Sequence, residues 1–185
     1  FWARLEYVFS ETETPYVKAQ SNGVRSGYYS AAFLLQRILA DKLDVDPSEV
    51  EIADISMKLL EDITNRRIAE IILTDELPNG SGFVRYLYNN IANILSESIN
   101  PSNSNSYLGK IHSQSHQEKC NDACYDCLKV FRNMNFHSLL DWRLGVSMLR
   151  VMKDATFVCG ADGNFNFVEL QSWLAFATEL RNEIG

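Results

Sequence analysis

Cys120, Cys124 and Cys127 fall within eight residues as C-x3-C-x2-C, while the fourth cysteine, Cys159, lies far downstream. Thiols this close can serve as one ligand set. Zinc takes about four nitrogen or sulfur ligands in a tetrahedron, and a Cys-x2-Cys turn brings two thiolates to one ion. Zn2+ is therefore the expected cofactor. The usual second Cys-x2-Cys pair is missing, so one position must be filled by His112, His116, His137 or Cys159. His112, His116, Cys120 and Cys124 recur every four residues, a spacing that one continuous helix would stack on a single face.

His116 is the preferred fourth ligand, because it lies four residues before Cys120 and needs only a helical turn to join the thiols. His137, ten residues after Cys127, is the first alternative, reached through a short turn. Cys159 offers the softer donor, but it sits beyond a helix and beside Thr156-Phe157-Val158, where a buried structural cysteine is expected. Disulfides fit less well, since three close thiols cannot all pair and no secretory pattern is evident. With no H-x-E or H-E-x-x-H pattern to supply a general base, the expected zinc is structural rather than catalytic.

Other residues offer weaker chemistry. Pro78-Asn79-Gly80-Ser81-Gly82 before a helix suits a tight turn with Ser81 as cap, or a phosphate on the helix N-terminus. It is not a Walker A loop, because no Gly-Lys-Ser/Thr follows. Glu70, Asp75 and Glu76 at a strand end are the carboxylates a metal-dependent nuclease would need. Asp141 has Arg132, Arg143 and a ligand histidine as candidate partners. Tyr125, Phe131 and Phe136 interleave with Lys129 and Arg132, a mixture able to stack the bases of single-stranded DNA, and Arg143 is a further candidate contact.

The elements that must position these groups follow from periodicity. A helical stripe runs from Ser26 to Asp41 through Tyr28, Ala32, Leu35 and Leu39. Alternation at Ala53, Ile55, Met57 and Leu59, a turn, and the run Ile68 to Leu73 predict two antiparallel strands, the second central and covered by helices. A helix then carries Phe83, Val84, Leu87, Ile91 and Leu95. After the cysteines, Leu139, Trp142, Val146 and Leu149 mark a deeply buried helix, Thr156-Phe157-Val158 a short strand, and Leu170, Trp173, Leu174, Ala177 and Leu180 a last helix. The expected fold is mixed α/β, a small sheet flanked by helices with a zinc-binding lobe. Residues 1–23 form a lead-in or edge strand, 24–106 an α/β front half, 107–137 the zinc lobe, and 138–185 helices packing on the same domain.

From Cys120-Asn121-Asp122-Ala123-Cys124-Tyr125-Asp126-Cys127 through His137 to Leu140-Asp141-Trp142-Arg143-Leu144, the chain resembles the cysteine-rich domain at the C-terminal end of MrfA-type DNA-repair helicases. That domain recurs in the DrmB protein of the DISARM antiphage system. The family carries a strand, an Asp, a Pro-Gly-Gly-like turn and an aromatic-led helix ahead of its cysteines, and Leu73-Thr74-Asp75-Glu76-Leu77-Pro78-Asn79-Gly80-Ser81-Gly82-Phe83 is similar. The resemblance runs from about Tyr28 to Leu149, and Trp142-Arg143 is closest to the DrmB-like branch. It implies a zinc-stabilised module beside a helicase motor, for protein docking or DNA guidance. Four cysteines usually bind the metal in that family, and this chain departs from it in clustering only three. The family also places a histidine at position 137.

Composition sets the frame. An apolar share of 46% and a charged share of 22% over 185 residues suit one globular domain. A net charge of -7 excludes a surface that is basic overall, yet Lys110–Lys153 holds seven basic residues against four acidic ones. No run of about 18 apolar residues suggests a membrane span, and a cytoplasmic chain is expected. The opening Phe1-Trp2-Ala3-Arg4 reads as the interior of a longer protein. No catalysis is expected of the fragment by itself. A nuclease built on Asp75 and Glu76, and a scaffold that only supports a motor subunit, are the competing functions.

Overall fold

The computed structural model describes residues 3–7, 22–59, 67–77 and 80–184, and for 3–7, 54–59 and 67–70 it describes the backbone alone. Its first half is a sheet laid against one long helix. Strands β1 (Ala3–Tyr7), β2 (Val50–Leu59) and β3 (Arg67–Asp75) lie in the order β1-β3-β2, both pairs antiparallel. The two strands expected from alternation pair as expected, with an irregularity in register between Ile52 and Asp54. β3 is central. Its Ile71 and Leu73 are buried in the core while Ile72, on the other face, is half-buried. The run is therefore covered fully on one face only.

Helix α1 (Asn22–Leu43) is buried on most of its circumference, from Tyr28 through Ala31, Leu34, Leu35 and Leu39 to Ala40, as suits a central element. Its main partner is α5 (Trp142–Lys153). The two approach at Gly145, where an added Cβ would lie 2.7 Å from Leu34 Cδ1 and 2.8 Å from Ser30 Cβ. Two α1 hydroxyls fix the start of α5. Ser30 Oγ accepts the Asp141 N–H at 2.8 Å, and Ser26 Oγ donates to the Leu139 carbonyl. Asp141 in turn caps α5, accepting from the Arg143 and Leu144 amides.

Helix α2 (Phe83–Ser98) begins differently from expectation. Its cap residue is Gly82, in a left-handed conformation (φ 82°) that favours glycine, rather than Ser81. The Asp75 carboxylate does the capping from the end of β3, accepting from Gly82 N–H at 2.9 Å and Val84 N–H at 3.0 Å. Two short helices follow, α3 (Tyr107–Ile111) and α4 (Gln114–Gln117). A 3-10 segment over Phe131–Leu139 links the cysteines to α5.

Thr156-Phe157-Val158 is a turn, not a strand: Asp154 Oδ1 accepts from both the amide and the hydroxyl of Thr156, and Phe157 N–H returns to the Asp154 carbonyl. The last helix, α6 (Val168–Ile184), buries Glu169 and Leu170 against the domain, whereas Leu174, Leu180 and Ile184 are exposed. Among the described residues no helix is long and apolar enough to cross a membrane.

Candidate metal centre

The four-residue spacing of His112, His116, Cys120 and Cys124 does not produce one helix. Ser113 intervenes, its hydroxyl accepting the His116 N–H and starting α4 as a new helix. A short side chain able to satisfy free N–H groups at a helix start makes this break favourable. The break turns His112 away from the thiols but leaves His116 on α4, one turn before Cys120.

Cys120 follows α4 directly, and Cys124 to Cys127 form a tight turn. Within it, Cys124 N–H donates to Cys127 Sγ at 3.0 Å, and the Cys127 and Lys129 amides donate to the Cys124 carbonyl. The turn is anchored at two points: Tyr107 Oη donates to the Cys127 carbonyl at 2.8 Å, and the Trp142 amide donates to the Asp122 carbonyl at 2.9 Å.

Together these place one donor atom each from His116, Cys120, Cys124 and Cys127 within 4.8 Å of one another. Cys120 Sγ lies 3.8 Å from Cys127 Sγ, Cys124 Sγ lies 3.6 Å from Cys127 Sγ, and His116 Nε2 lies 3.6 Å from Cys124 Sγ. Zinc–sulfur bonds of about 2.3 Å and a zinc–nitrogen bond of about 2.0 Å at tetrahedral angles require edges of about 3.8 Å (S–S) and about 3.5 Å (S–N). These three distances match edges of that tetrahedron, and the remaining pairs lie within 4.8 Å. The three thiols crowd one another, so their protons are shared unevenly. The hydrogen bond from Cys120 lowers Cys127 well below an ordinary thiol, to about 4, while that same bond and burial push Cys120 up. Burial raises Cys124 as well. A zinc ion held by Cys120, Cys124, Cys127 and His116 would supply positive charge that relieves this crowding.

The alternative ligands are elsewhere. His137 Nε2–H is shared between Asn133 Oδ1 at 2.8 Å and the Val130 carbonyl at 3.0 Å, which fixes the 3-10 turn. Cys159 is exposed, in a left-handed turn at φ 50°, rather than buried as its neighbours suggested. Neither belongs to the cluster. We therefore expect His116→Ala to speed zinc transfer to a competing chelator by about 10-fold or more, the effect of losing even a supporting group, and Cys159→Ala to leave it unchanged. The reverse pattern in the chelator assay would reassign the fourth ligand.

The residues proposed for nucleic acid separate. Arg132 is exposed, and Lys129 is half-buried with its Nζ 3.7 Å from Asp122. Arg143 is buried, its guanidinium bonded to both carboxylate oxygens of Asp141 and lying 4.5 Å over the Trp173 ring and 5.1 Å over Phe176. It is committed to packing α6 on α5, and DNA contact would require it to leave that pair. Of the partners considered for Asp141, Arg143 alone is present. Periodicity gave no sign of Tyr107, which holds the Cys127 turn. It placed Trp142 on a buried helical stripe but not beside the site, where its ring packs on both His112 and His116 at centroid distances of 6.2 and 5.8 Å. Burial also holds His112 neutral: it lowers the imidazole to about 4, with Arg150 and then His116 adding repulsion.

Comparison with curated proteins and with solved structures gave no match. The family model described as the MrfA Zn-binding domain matches residues 31–128, just over half of the chain, from α1 through all four clustered ligands. With a tetrahedral set of one histidine and three cysteines inside that match, this chain belongs to the MrfA Zn-binding domain family.

Proposed function

We propose that this domain is a structural zinc module which docks against a helicase motor, on the same polypeptide or a partner, in a DNA-processing or DISARM-type defence protein. The observation that carries the structural role is the closed ligand set: four protein donors fill the tetrahedron, leaving no position for the water that a catalytic zinc activates. The resemblance to MrfA-type and DrmB-like proteins supports the motor as partner. Asp75, which a nuclease would require, already accepts two amides as the cap of α2, and the fit favours a cap over metal chemistry.

The docking role rests on a surface beside the zinc lobe. Phe131 is 82% and Tyr125 68% exposed, and Phe131 and Arg132 border a cavity of about 870 Å3 walled by Tyr29, Phe33 and Phe136. Exposed aromatic rings next to an arginine suit a protein interface and also suit stacked bases. Asp46, Glu51 and Glu76 outnumber Arg37 and Arg132 in the lining and weaken it as a polyanion site, which favours protein. Crosslinking mass spectrometry on the full-length protein in its own cells is expected to place a helicase motor against this domain. Recovery of a zinc-loaded domain without motor crosslinks overturns the reading. Salt-sensitive binding of a single-stranded oligonucleotide that Phe131→Ala abolishes would move the function to DNA guidance.

A further inference from the structure

Five buried side-chain polar atoms lack a hydrogen-bond partner among the described residues, and three of them belong to rings that touch: His116 Nδ1, His112 Nε2 and Trp142 Nε1. An unsatisfied buried polar group costs about 1–3 kcal/mol, and three on one indole and the two imidazoles packed against it, at centroid distances of 6.2 and 5.8 Å, could be met by a shared partner. Their chemistry is complementary. His116 Nε2 faces the thiol cluster, 3.6 Å from Cys124 Sγ, and with that nitrogen on a metal its proton would sit on Nδ1, making Nδ1 a donor. The indole N–H of Trp142 is a donor only, and the unpartnered nitrogen of a neutral His112 serves as the acceptor. A water molecule accepting two hydrogen bonds and donating one satisfies all three atoms, close to the usual bond count of about three for buried water.

We propose that His112 and Trp142 position the His116 imidazole, through one water bound between the three rings, so that its Nε2 is presented to zinc. This rests on the metal reading given above. A ligand histidine whose second nitrogen is free can rotate or bind through the wrong nitrogen, and a fixed hydrogen bond there selects both tautomer and orientation. Trp142 is well placed to act on the lobe, being fully buried at the start of α5 and joined to the cysteine loop through Asp122. Apart from Cys120, Cys124, Cys127 and His116, then, the site includes a residue four positions before His116 that never touches the metal.

The test uses the zinc-loaded chain, with two variants at position 112. His112→Phe keeps a ring against Trp142 and removes the acceptor, whereas His112→Gln retains an acceptor. We expect His112→Phe to accelerate zinc transfer to a chelator by about 10-fold, the lower end of the range for groups that support a metal ligand, and His112→Gln to restore most of it. In nitrogen-correlated spectra of the wild type, His116 should show a slowly exchanging Nδ1–H. In His112→Phe that signal should broaden, and the Trp142 Nε1–H resonance should move. A wild-type spectrum with His116 bound through Nδ1, or unchanged zinc release and an unmoved Trp142 resonance in a folded His112→Phe, overturns the proposal. The wild-type spectrum decides even where His112→Phe does not fold. Zinc-free wild-type protein, or a His116→Ala variant that keeps its metal as the wild type does, would instead overturn the metal reading and this inference with it.

Discussion

Cys127→Ser is expected to release the metal and lower the melting temperature by about 10 °C, from a loss of several kcal/mol at roughly 2–4 °C per kcal/mol for a chain of this size. Cys127 is fully buried, and its sulfur accepts the Cys124 amide while lying beside both other thiols. Serine has a hydroxyl of high pKa in place of a thiolate, so the ligand is lost rather than replaced. The elements around it have little stability of their own. α3 is five residues long and α4 four, far short of the roughly 12–15 residues at which an isolated helix becomes even marginal. Yet Leu108, Ile111, Ala123 and Leu128 from this lobe belong to the main core. Loss of the ion therefore loosens a face of the core as well as a loop. Structural zinc in isolated fingers contributes about 10–16 kcal/mol of apparent binding energy, and core contacts that persist without metal reduce what is lost here. Elemental analysis and a thermal melt on the same sample check the expectation, and a Cys127→Ser protein with wild-type zinc content would refute the ligand set.

Much of the site was legible because ligand type and close spacing are local properties. Three cysteines within eight residues and a histidine one turn earlier need only a helix and a turn to converge, and both formed. The paired strands were legible for a similar reason, since an alternating run beside a β-branched run leaves few other pairings. The errors arose where one polar side chain outweighed the periodic pattern. Ser113 interrupts the single helix on which the four-residue repeat would have stacked, Asp154 folded Thr156-Phe157-Val158 into a turn, and Asp75 took the cap for which Ser81 was a candidate. The pairing of Arg143 with Asp141, two residues away, is local and was among the candidates, but the rings of Trp173 and Phe176 cover the guanidinium only once α6 packs on α5. Spacing along the chain carries no record of such contacts.

Arg150 illustrates the same point at the greatest energetic scale. A second arginine on α5, it is buried, and it bonds to both carboxylate oxygens of Glu169, which is itself fully buried in the first turn of α6. Its remaining N–H groups donate to Asn100 Oδ1 at 3.0 Å and the Ile99 carbonyl at 3.1 Å, and its guanidinium lies 4.3 Å from the Phe167 ring centroid. One side chain thus joins the end of α2, the body of α5 and the start of α6. Glu169→Ala leaves that guanidinium buried without a counter-charge, and removing one partner of a buried pair costs about 3–5 kcal/mol. A pair at the surface would cost under about 1 kcal/mol. We expect a fall of about 10 °C in melting temperature, at roughly 2–4 °C per kcal/mol, with zinc content unchanged because neither residue belongs to the ligand cluster. The double replacement Arg150→Met with Glu169→Met should recover most of the loss, since apolar side chains of similar volume often substitute for a buried pair without penalty. Denaturation of the single and double variants, read beside their zinc content, separates the two supports of the domain. If Glu169→Ala also released zinc, α6 and the metal lobe would be one cooperative unit, and the independence argued here would fail.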